Sequence, residues 1–402
     1  MFHKFVDISD IRVTAKSVYL CIHKYGPMSK NDIKERLGSS LANISRFLLE
    51  LEDADMILKT KGRGRLSGKY QANPEAGYAF GGYINSDVVG MGLCDVTGRV
   101  IKQYEIPFAD ADTPEKALDF FLQVNNELLA YEESKKTLGS SIAILGPKDK
   151  GKELIVNPPD MPKWGIIPFK QMYEEVINRT MDTVLFAEAI LLGSLLFDDH
   201  NTNENINLFW LDEGIGAAIY HKGRMDLDLQ DNSKILGHQI VDFNGPPCHC
   251  GQRGCLTNYG SIHSFRQLLL PYSRITEEED KKAQALHAED PWRYSIDLEK
   301  ISLEMGRSDR PIQIQTFMED FDKAFFAGLS NTFYGMHPDK VIFCGRIASY
   351  YRDRLEGIVS RIKKNYSNIP MDIDVRWLDL KSTDLIRGSA ARVFNNYLNF
   401  VD

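Results

Sequence analysis

The stretch "CHCGQRGC" (Cys248–Cys255) most constrains this chain, because it places three of the six cysteines within eight residues. A histidine lies ten residues before the first of them, and glycines within the stretch permit a tight backbone. Three thiolates and one imidazole are the donor set of a closed tetrahedral zinc site, which leaves no open position for catalysis. The sequence therefore predicts a structural zinc ion held by His238, Cys248, Cys250 and Cys255.

The same cysteines allow other interpretations. A redox pair is disfavoured because no Cys-x-x-Cys stands at the start of a predicted helix. A disulfide is disfavoured because the N-terminus, "MFHKFVDISDIRV", lacks the features of a secretion signal, and the cytosol is reducing. Buried cysteines without a metal remain the alternative. Since the apolar run over residues 189–197 is far shorter than the roughly 20 residues of a membrane span, we expect a cytoplasmic protein with no membrane segment.

Charge is distributed unevenly along the chain, whose net charge is −8. Residues 1–70 hold 13 lysines and arginines against 8 acidic residues, whereas the remaining residues hold 35 against 48. A basic head on an acidic body is typical of a head that contacts a polyanion, although chance variation explains the charge equally well. The residue pattern of the head must therefore decide.

Three helices are predicted in this head. The first covers residues 13–25 and ends before the dipeptide "GP". The second begins at Ser29, which stands three residues before Asp32 in a capping-box pattern, and ends at Gly38. The third carries an apolar stripe at helical spacing, formed by Ile44, Phe47, Leu48 and Leu51.

The opposite face of the third helix is polar and is typical of a helix that reads base edges in a helix-turn-helix. Residues 56–71 then predict two strands joined by a glycine-rich basic turn. Such a turn in isolation is a solvated hairpin tip, but after three correctly ordered helices it favours a wing that contacts phosphates. Residues 1–75 are therefore predicted to be a winged helix-turn-helix that binds a double-stranded DNA operator. The predicted contacts are Ser39, Ser40, Asn43 and Arg46 to bases and Lys61, Arg63 and Arg65 to the backbone.

After residue 75 the pattern changes to alternating strands and helices. Residues 88–108 predict a hairpin, residues 113–131 a helix, and residues 206–225 a second hairpin. Two hairpins that each introduce an α/β half are typical of the duplicated ATPase fold of actin and the sugar kinases. We therefore expect an α/β body with a first lobe over residues 76–190 and a second over residues 191–402, whose final helix packs back on the first.

The stretch "GHQIVDFNGPPCHCGQRGCL" (Gly237–Leu256) resembles the pattern GHxxxxxxGxxCxCGxxGCL of the ROK family, whose members are repressors, uncharacterised open reading frames and sugar kinases. The segments "ILGP", "PDMPKW", "VIFCGRI" and "LIRGSAA" sit where the family has related segments, and the head resembles that of ROK repressors. The resemblance implies a DNA-binding regulator that forms a homodimer or a dimer of dimers and responds to a sugar-type effector.

The chain departs from the family's kinases at the catalytic position. There the family has an Asn-Asp pair that opens a helix, and the Asp takes a proton from the sugar hydroxyl. The matching segment, "LFAEAILLGS", has Leu185 on the Asn and Phe186 on the Asp, and a benzyl ring accepts no proton. A shifted alignment would make Glu188 the base, but on a different helix face. The body is therefore expected to be a pseudokinase.

The sugar and nucleotide sites depart from the family as well. Ile235 and Thr257 replace two glutamates that the resemblance implies for sugar binding. The first phosphate loop, "YINSD" (residues 83–87), lacks glycine, and the second, "DEGIGAA" (residues 212–218), places two carboxylates where phosphate oxygens would lie, which we expect to repel ATP. The effector-binding candidates that remain are Asp160, His238 and Thr257.

Three functions fit these observations. A DNA-binding transcriptional regulator, expected to be a repressor, accounts for both the basic head and the missing proton acceptor. The alternative from the enzyme class is an active ATP-dependent sugar kinase with a regulatory head. In the third, the body only mediates protein interactions and binds no small ligand.

Overall fold

The structure is a computed structural model, which describes residues 14–60, 68–146, 148–149, 154–156, 158, 161–198, 204–221, 223–225, 236–365 and 372–400. The chain divides into two compact units. The first comprises residues 1–203, 222–227 and 383–402, and the second comprises residues 204–221 and 228–382. None of the described helices combines the length and apolar character that crossing a membrane requires.

The head of the first unit has a three-helix core closed by a small antiparallel sheet. The predicted apolar stripe on the third helix is buried in this core as expected. The elements are α1 (Ala15–Tyr25), α2 (Lys30–Leu37), α3 (Leu41–Asp53), β1 (Ile57–Lys59) and β2 (Tyr70–Ala72). The tip between β1 and β2, including Lys61, Arg63 and Arg65, lies outside the described residues.

Local capping determines where the head helices begin. The hydroxyls of Thr14, Ser29 and Ser40 each accept a hydrogen bond from the backbone N–H three residues later. The predicted capping box of α2 is confirmed, because the Ser29 N–H donates to the Asp32 carboxylate at 2.9 Å. α2 ends at Gly38, whose φ of 60° is the left-handed conformation that favours glycine.

The first lobe is built on a sheet of mixed direction, flanked by three helices. Its strands are β3 (Tyr78–Ile84), β4 (Val88–Asp95), β5 (Val100–Pro107), β6 (Thr137–Ile144) and β10 (Met181–Leu185), and the short strands β7 (Lys148–Asp149), β8 (Leu154–Val156) and β9 (Ile166–Ile167) form a separate sheet. Its helices are α4 (Pro114–Leu128), α5 (Phe169–Ile177) and α6 (Phe186–Phe197). The main sheet has the order β10-β6-β3-β4-β5.

The second unit is built on the strands β11 (Ile206–Leu211), β12 (Ile215–His221), β14 (Lys340–Cys344) and β15 (Asp374–Leu378), and β13 (Arg224–Met225) follows β12 in the chain. Its helices are α7 (Thr257–Gly260), α8 (Ile262–Leu269), α9 (Glu277–Glu289), α10 (Ile296–Met305), α11 (Ile312–Met336), α12 (Arg346–Tyr350) and α13 (Arg352–Asn365). Phenylalanines from α8 and α11 pack together in its apolar core, with ring centroids of Phe265 and Phe317 5.0 Å apart.

The two sheets repeat one topology. β3 pairs antiparallel with β4 and parallel with β6, which in turn pairs parallel with β10. In the same way β11 pairs antiparallel with β12 and parallel with β14, which pairs parallel with β15. The predicted duplicated α/β fold is confirmed by this repeat.

The last helix, α14 (Ser382–Leu398), packs in the first unit. Ser389 donates a hydrogen bond to the Gly82 carbonyl oxygen at 2.8 Å. A Cβ at Gly81 would collide with the Ile386 carbonyl, so glycine permits this close approach of α14 to β3. The lobe boundary expected after residue 190 falls inside α6, and the two compact units divide after residue 203 instead.

Candidate functional site

The four side chains predicted to bind zinc converge in the second unit. Their ligand atoms all lie within 4.8 Å of one another. Cys248 Sγ is 3.4 Å from His238 Nδ1, and Cys250 Sγ is 3.6 Å from Cys255 Sγ. Zinc bonds of about 2.3 Å to sulfur and about 2.0 Å to nitrogen place a tetrahedral sulfur–nitrogen pair about 3.5 Å apart and a sulfur–sulfur pair about 3.8 Å apart. The donor types and their spacing therefore fit a tetrahedral zinc ion.

Backbone hydrogen bonds and glycines hold this ligand loop. Cys248 N donates to Gln252 O at 2.8 Å, and Gly251 N donates to Cys248 O at 3.0 Å. Gly254 adopts a φ of 65°, and a Cβ at this position would collide with the Asp242 carbonyl oxygen. The loop therefore reaches its compact shape through backbone contacts, with glycine required at residue 254.

Burial raises the pKa of the Cys248 thiol and raises the pKa of the Cys255 thiol to about 12. Such thiols are neutral at pH 7 unless a cation stabilises their thiolates. His249 is exposed, with its Nδ1 3.9 Å from Cys248 Sγ, and is not one of the four converging side chains.

The position that the resemblance assigns to the catalytic Asp is apolar and packed. Phe186 is buried as the first residue of α6, and its ring meets the Tyr83 ring edge-on with centroids 6.5 Å apart. The alternative base, Glu188, accepts a hydrogen bond from Leu185 N at 3.1 Å and thereby caps the start of α6. The carboxylate of Glu188 thus stabilises the first turn of α6, in which it lies.

The turn between β3 and β4 corresponds to the first phosphate loop, and the side chain of Asn85 within it stabilises the turn. Asn85 is buried, and its Oδ1 accepts hydrogen bonds from Asp87 N at 2.8 Å and from Val88 N at 2.6 Å. Backbone N–H groups are the donors that phosphate loops offer to a nucleotide. Here two of them are already bound within the turn. Sequence reasoning missed Asn85, although an asparagine before two backbone N–H groups signals an Asx turn.

The two carboxylates of the second phosphate loop, which were expected to repel ATP, are not isolated charges. Asp212 and Glu213 are buried, and both bind Arg346, which sequence reasoning missed. Arg346 Nε lies 3.0 Å from Asp212 Oδ2, and Arg346 Nη2 lies 3.3 Å from Glu213 Oε1. Arg266 Nη2 approaches Glu213 Oε2 at 3.4 Å. The loop therefore contains a compensated ion-pair cluster rather than a repulsive negative patch.

The remaining candidate residues are distributed as follows. Asn43 and Arg46 are exposed on α3. Just before the helix, Ser40 is exposed and Ser39 is half-buried, and the Ser40 hydroxyl already accepts a hydrogen bond from Asn43 N at 3.2 Å. Thr257 is buried at the start of α7, two residues after a predicted zinc ligand. Asp160 and Ile235 lie outside the described residues.

Comparison with known proteins adds an independent observation. The model of the ROK family matches residues 89–384. The chain is 25% identical over 258 residues to the xylose repressor of Bacillus subtilis, and the match covers 62% of this chain and 66% of that protein, just under two thirds of its length.

Solved structures share the fold. A ROK family transcriptional regulator, described as a homologue of the Escherichia coli MLC protein, superposes with a TM-score of 0.68 at 18% identity over 96% of both chains. A ROK hexokinase from Thermus thermophilus superposes with a TM-score of 0.61 at 17% identity, covering 80% of this chain and 99% of the hexokinase. Since the family model matches well over half of the residues of this chain, the chain belongs to the ROK family.

Proposed function

We propose that this chain is a DNA-binding transcriptional regulator, specifically a repressor, whose kinase-like body no longer transfers phosphate. The observation that carries the proposal is the solvent-exposed surface of α3, which includes two polar side chains. Asn43 and Arg46 project from a helix whose other face is anchored in the head core, as in helices that enter the major groove. The xylose repressor that resembles this chain supports the same function.

The head supports operator binding as a winged helix-turn-helix. α2 and α3 are joined by a short turn at Gly38, and β1 and β2 follow as an antiparallel pair. In this proposal Ser39, Ser40, Asn43 and Arg46 contact base edges, while the basic residues Lys61, Arg63 and Arg65 contact phosphates.

Three features support the absence of kinase activity. A phenyl ring, on Phe186, occupies the position of the proton acceptor, and the carboxylate two positions later, on Glu188, caps a helix. The Asn85 side chain occupies two backbone donors of the first loop. The Arg346 ion pairs fill the second loop with charges that already satisfy one another.

The converging His238, Cys248, Cys250 and Cys255 support a structural zinc ion. In the proposal the ion fixes the segment from His238 to Thr257, and so it positions two of the three effector candidates on one rigid element. In the proposal these two residues contact a sugar-type effector, for which Asp160 is a further candidate residue. Because helix-turn-helix proteins read two half-sites with two heads, the regulator would act as a homodimer or a dimer of dimers.

The test is recovery of genomic DNA fragments bound by the full chain, with and without small metabolites from a cell extract. The proposal expects a defined set of fragments that share a sequence, with binding that changes when the metabolites are added. Equal weak binding to all fragments contradicts it, because sequence-independent binding needs only phosphate contacts.

The enzyme alternative is tested separately. The chain is incubated with ATP and a panel of hexoses, pentoses and amino sugars, and a ROK sugar kinase serves as the positive control. We expect no phosphorylated sugar above the protein-free background. ATP-dependent phosphorylation of any sugar in the panel would contradict the inactive body.

A further inference from the structure

One face of α3 carries an apolar pattern that the proposed polar contacts do not explain. Ala42, Arg46 and Leu49 are exposed and follow one another at spacings of four and three residues, so they form one stripe opposite the buried one. Leu49 is 59% exposed. The outward face of a surface helix is ordinarily charged or polar, and here two of these three positions are apolar.

Charge decides which part of α3 can approach DNA. The first turn contains no acidic residue, and Arg46 is the only cation of the helix. Beyond Leu49 the exposed residues become acidic, with Glu50, Asp53 and, just after the helix, Asp55. These carboxylates repel phosphates, whereas the helix N-terminus attracts them. The segment from residue 42 to residue 49, about 10 Å long, is therefore the part of α3 that can enter a groove.

The chemistry of the major groove matches this stripe. An arginine pairs with guanine O6 and N7, and the thymine 5-methyl is the apolar group that base pairs present in that groove. An exposed leucine alone needs no explanation. Here, however, the leucine and an alanine flank the arginine on the one stretch of helix that the charges leave open to DNA.

We infer that α3 recognises thymine methyl groups through Leu49 and Ala42, on either side of Arg46. The inference rests on the proposed function and adds which chemical groups of the DNA bases α3 recognises. Leu49 and Ala42 discriminate thymine from the other bases by burying its methyl group, and Arg46 discriminates guanine by hydrogen bonding.

The experiment starts from a duplex selected by the full chain from a random-sequence library. Each thymidine of the selected duplex is replaced in turn by 2′-deoxyuridine, which removes only the 5-methyl group. We expect a loss of affinity of about fourfold at one or more positions, the factor that corresponds to one buried methyl group. In the Leu49→Ala variant, at least one of these positions should become insensitive to the replacement.

The matched control is Leu129→Ala, which truncates an exposed leucine of the first lobe and should leave every deoxyuridine effect unchanged. If none of the deoxyuridine replacements changes the affinity of the selected duplex, the inference is overturned while the proposed function stands. This measurement uses only the unmodified chain, so it does not depend on whether a variant folds. Retention of every deoxyuridine effect in Leu49→Ala also overturns the inference. If the chain enriches no sequence from the library, both the proposed function and the inference are contradicted.

Discussion

Arg346 donates two hydrogen bonds to one carboxylate oxygen of Asp212. Its backbone N–H lies 2.8 Å from Asp212 Oδ2, and its guanidinium Nε lies 3.0 Å from the same oxygen. The two residues are 134 positions apart in the chain. This pair joins the turn that follows β11 to the start of α12, directly after β14. It therefore closes the carboxyl end of two parallel strands, where ligands bind in many α/β folds.

Replacing Arg346 by leucine should lower the free energy of unfolding by about 3–5 kcal/mol, because the buried Asp212 carboxylate loses its counter-charge and the buried Glu213 carboxylate loses one of its two arginines. Urea denaturation measures the change. The control Arg376→Ala breaks an exposed ion pair with Asp374 and should cost at most about 1 kcal/mol. If Arg346→Leu costs no more than the control, the ion-pair cluster does not stabilise the fold.

Purified protein should contain about one zinc ion per chain, as measured by elemental analysis. His238→Ala and Cys255→Ser should each lose the metal and lower the thermal unfolding midpoint, because metal binding contributes directly to folding. His249→Ala is the matched control, since this neighbouring imidazole is outside the converging set, and it should keep the ion. Protein purified without added chelator that contains no zinc would disprove the site.

Arg46→Ala should weaken binding to the selected operator by about 1–3 kcal/mol and relax the preference at one base pair, whereas binding to unrelated DNA should change much less. Competition binding at a fixed salt concentration measures both. Arg376→Ala, which removes an exposed arginine from the second unit, should leave both affinities unchanged. An equal loss on operator and unrelated DNA would mean that Arg46 contacts only phosphate.

Two glycine replacements should have opposite effects on stability. Gly254→Ala should destabilise the zinc loop by more than about 1 kcal/mol, because φ is 65° and a carbonyl oxygen occupies the Cβ position. Gly357→Ala lies within α13 with nothing near its Cβ and should stabilise by about 0.5–1 kcal/mol through helix propensity. Calorimetric unfolding of both variants measures the difference, and a stabilising Gly254→Ala would contradict the loop geometry.

The features predicted correctly from the sequence are those that local chemistry determines. The capping box at Ser29 and the end of α2 at Gly38 depend on residues within one helix and its borders. The hairpins predicted at residues 88–108 and 206–225 are confirmed by the antiparallel pairs β4–β5 and β11–β12, because the strands and the turn of a hairpin are adjacent in the sequence. The convergence of the four predicted zinc ligands could be foreseen because three of them lie within eight residues.

The features that the sequence did not reveal depend on distant partners. Asp212 and Glu213 were expected to be repulsive because Arg346, which neutralises them, is more than 130 residues away. The lobe boundary was placed too early because the apolar pattern of α6 gives no sign of which unit buries it.

The contact of Ser389 with Gly82 joins residues that are 307 positions apart, and it has a consequence for biosynthesis. A ribosome translates the head and the first lobe long before it translates α14. Until α14 is made, the part of the first-lobe sheet that this helix contacts stays exposed. A chain halted by a premature stop codon within the second unit never acquires that cover. Such fragments should be substrates for chaperones and proteases even though their N-terminal helices carry every residue needed to cap themselves.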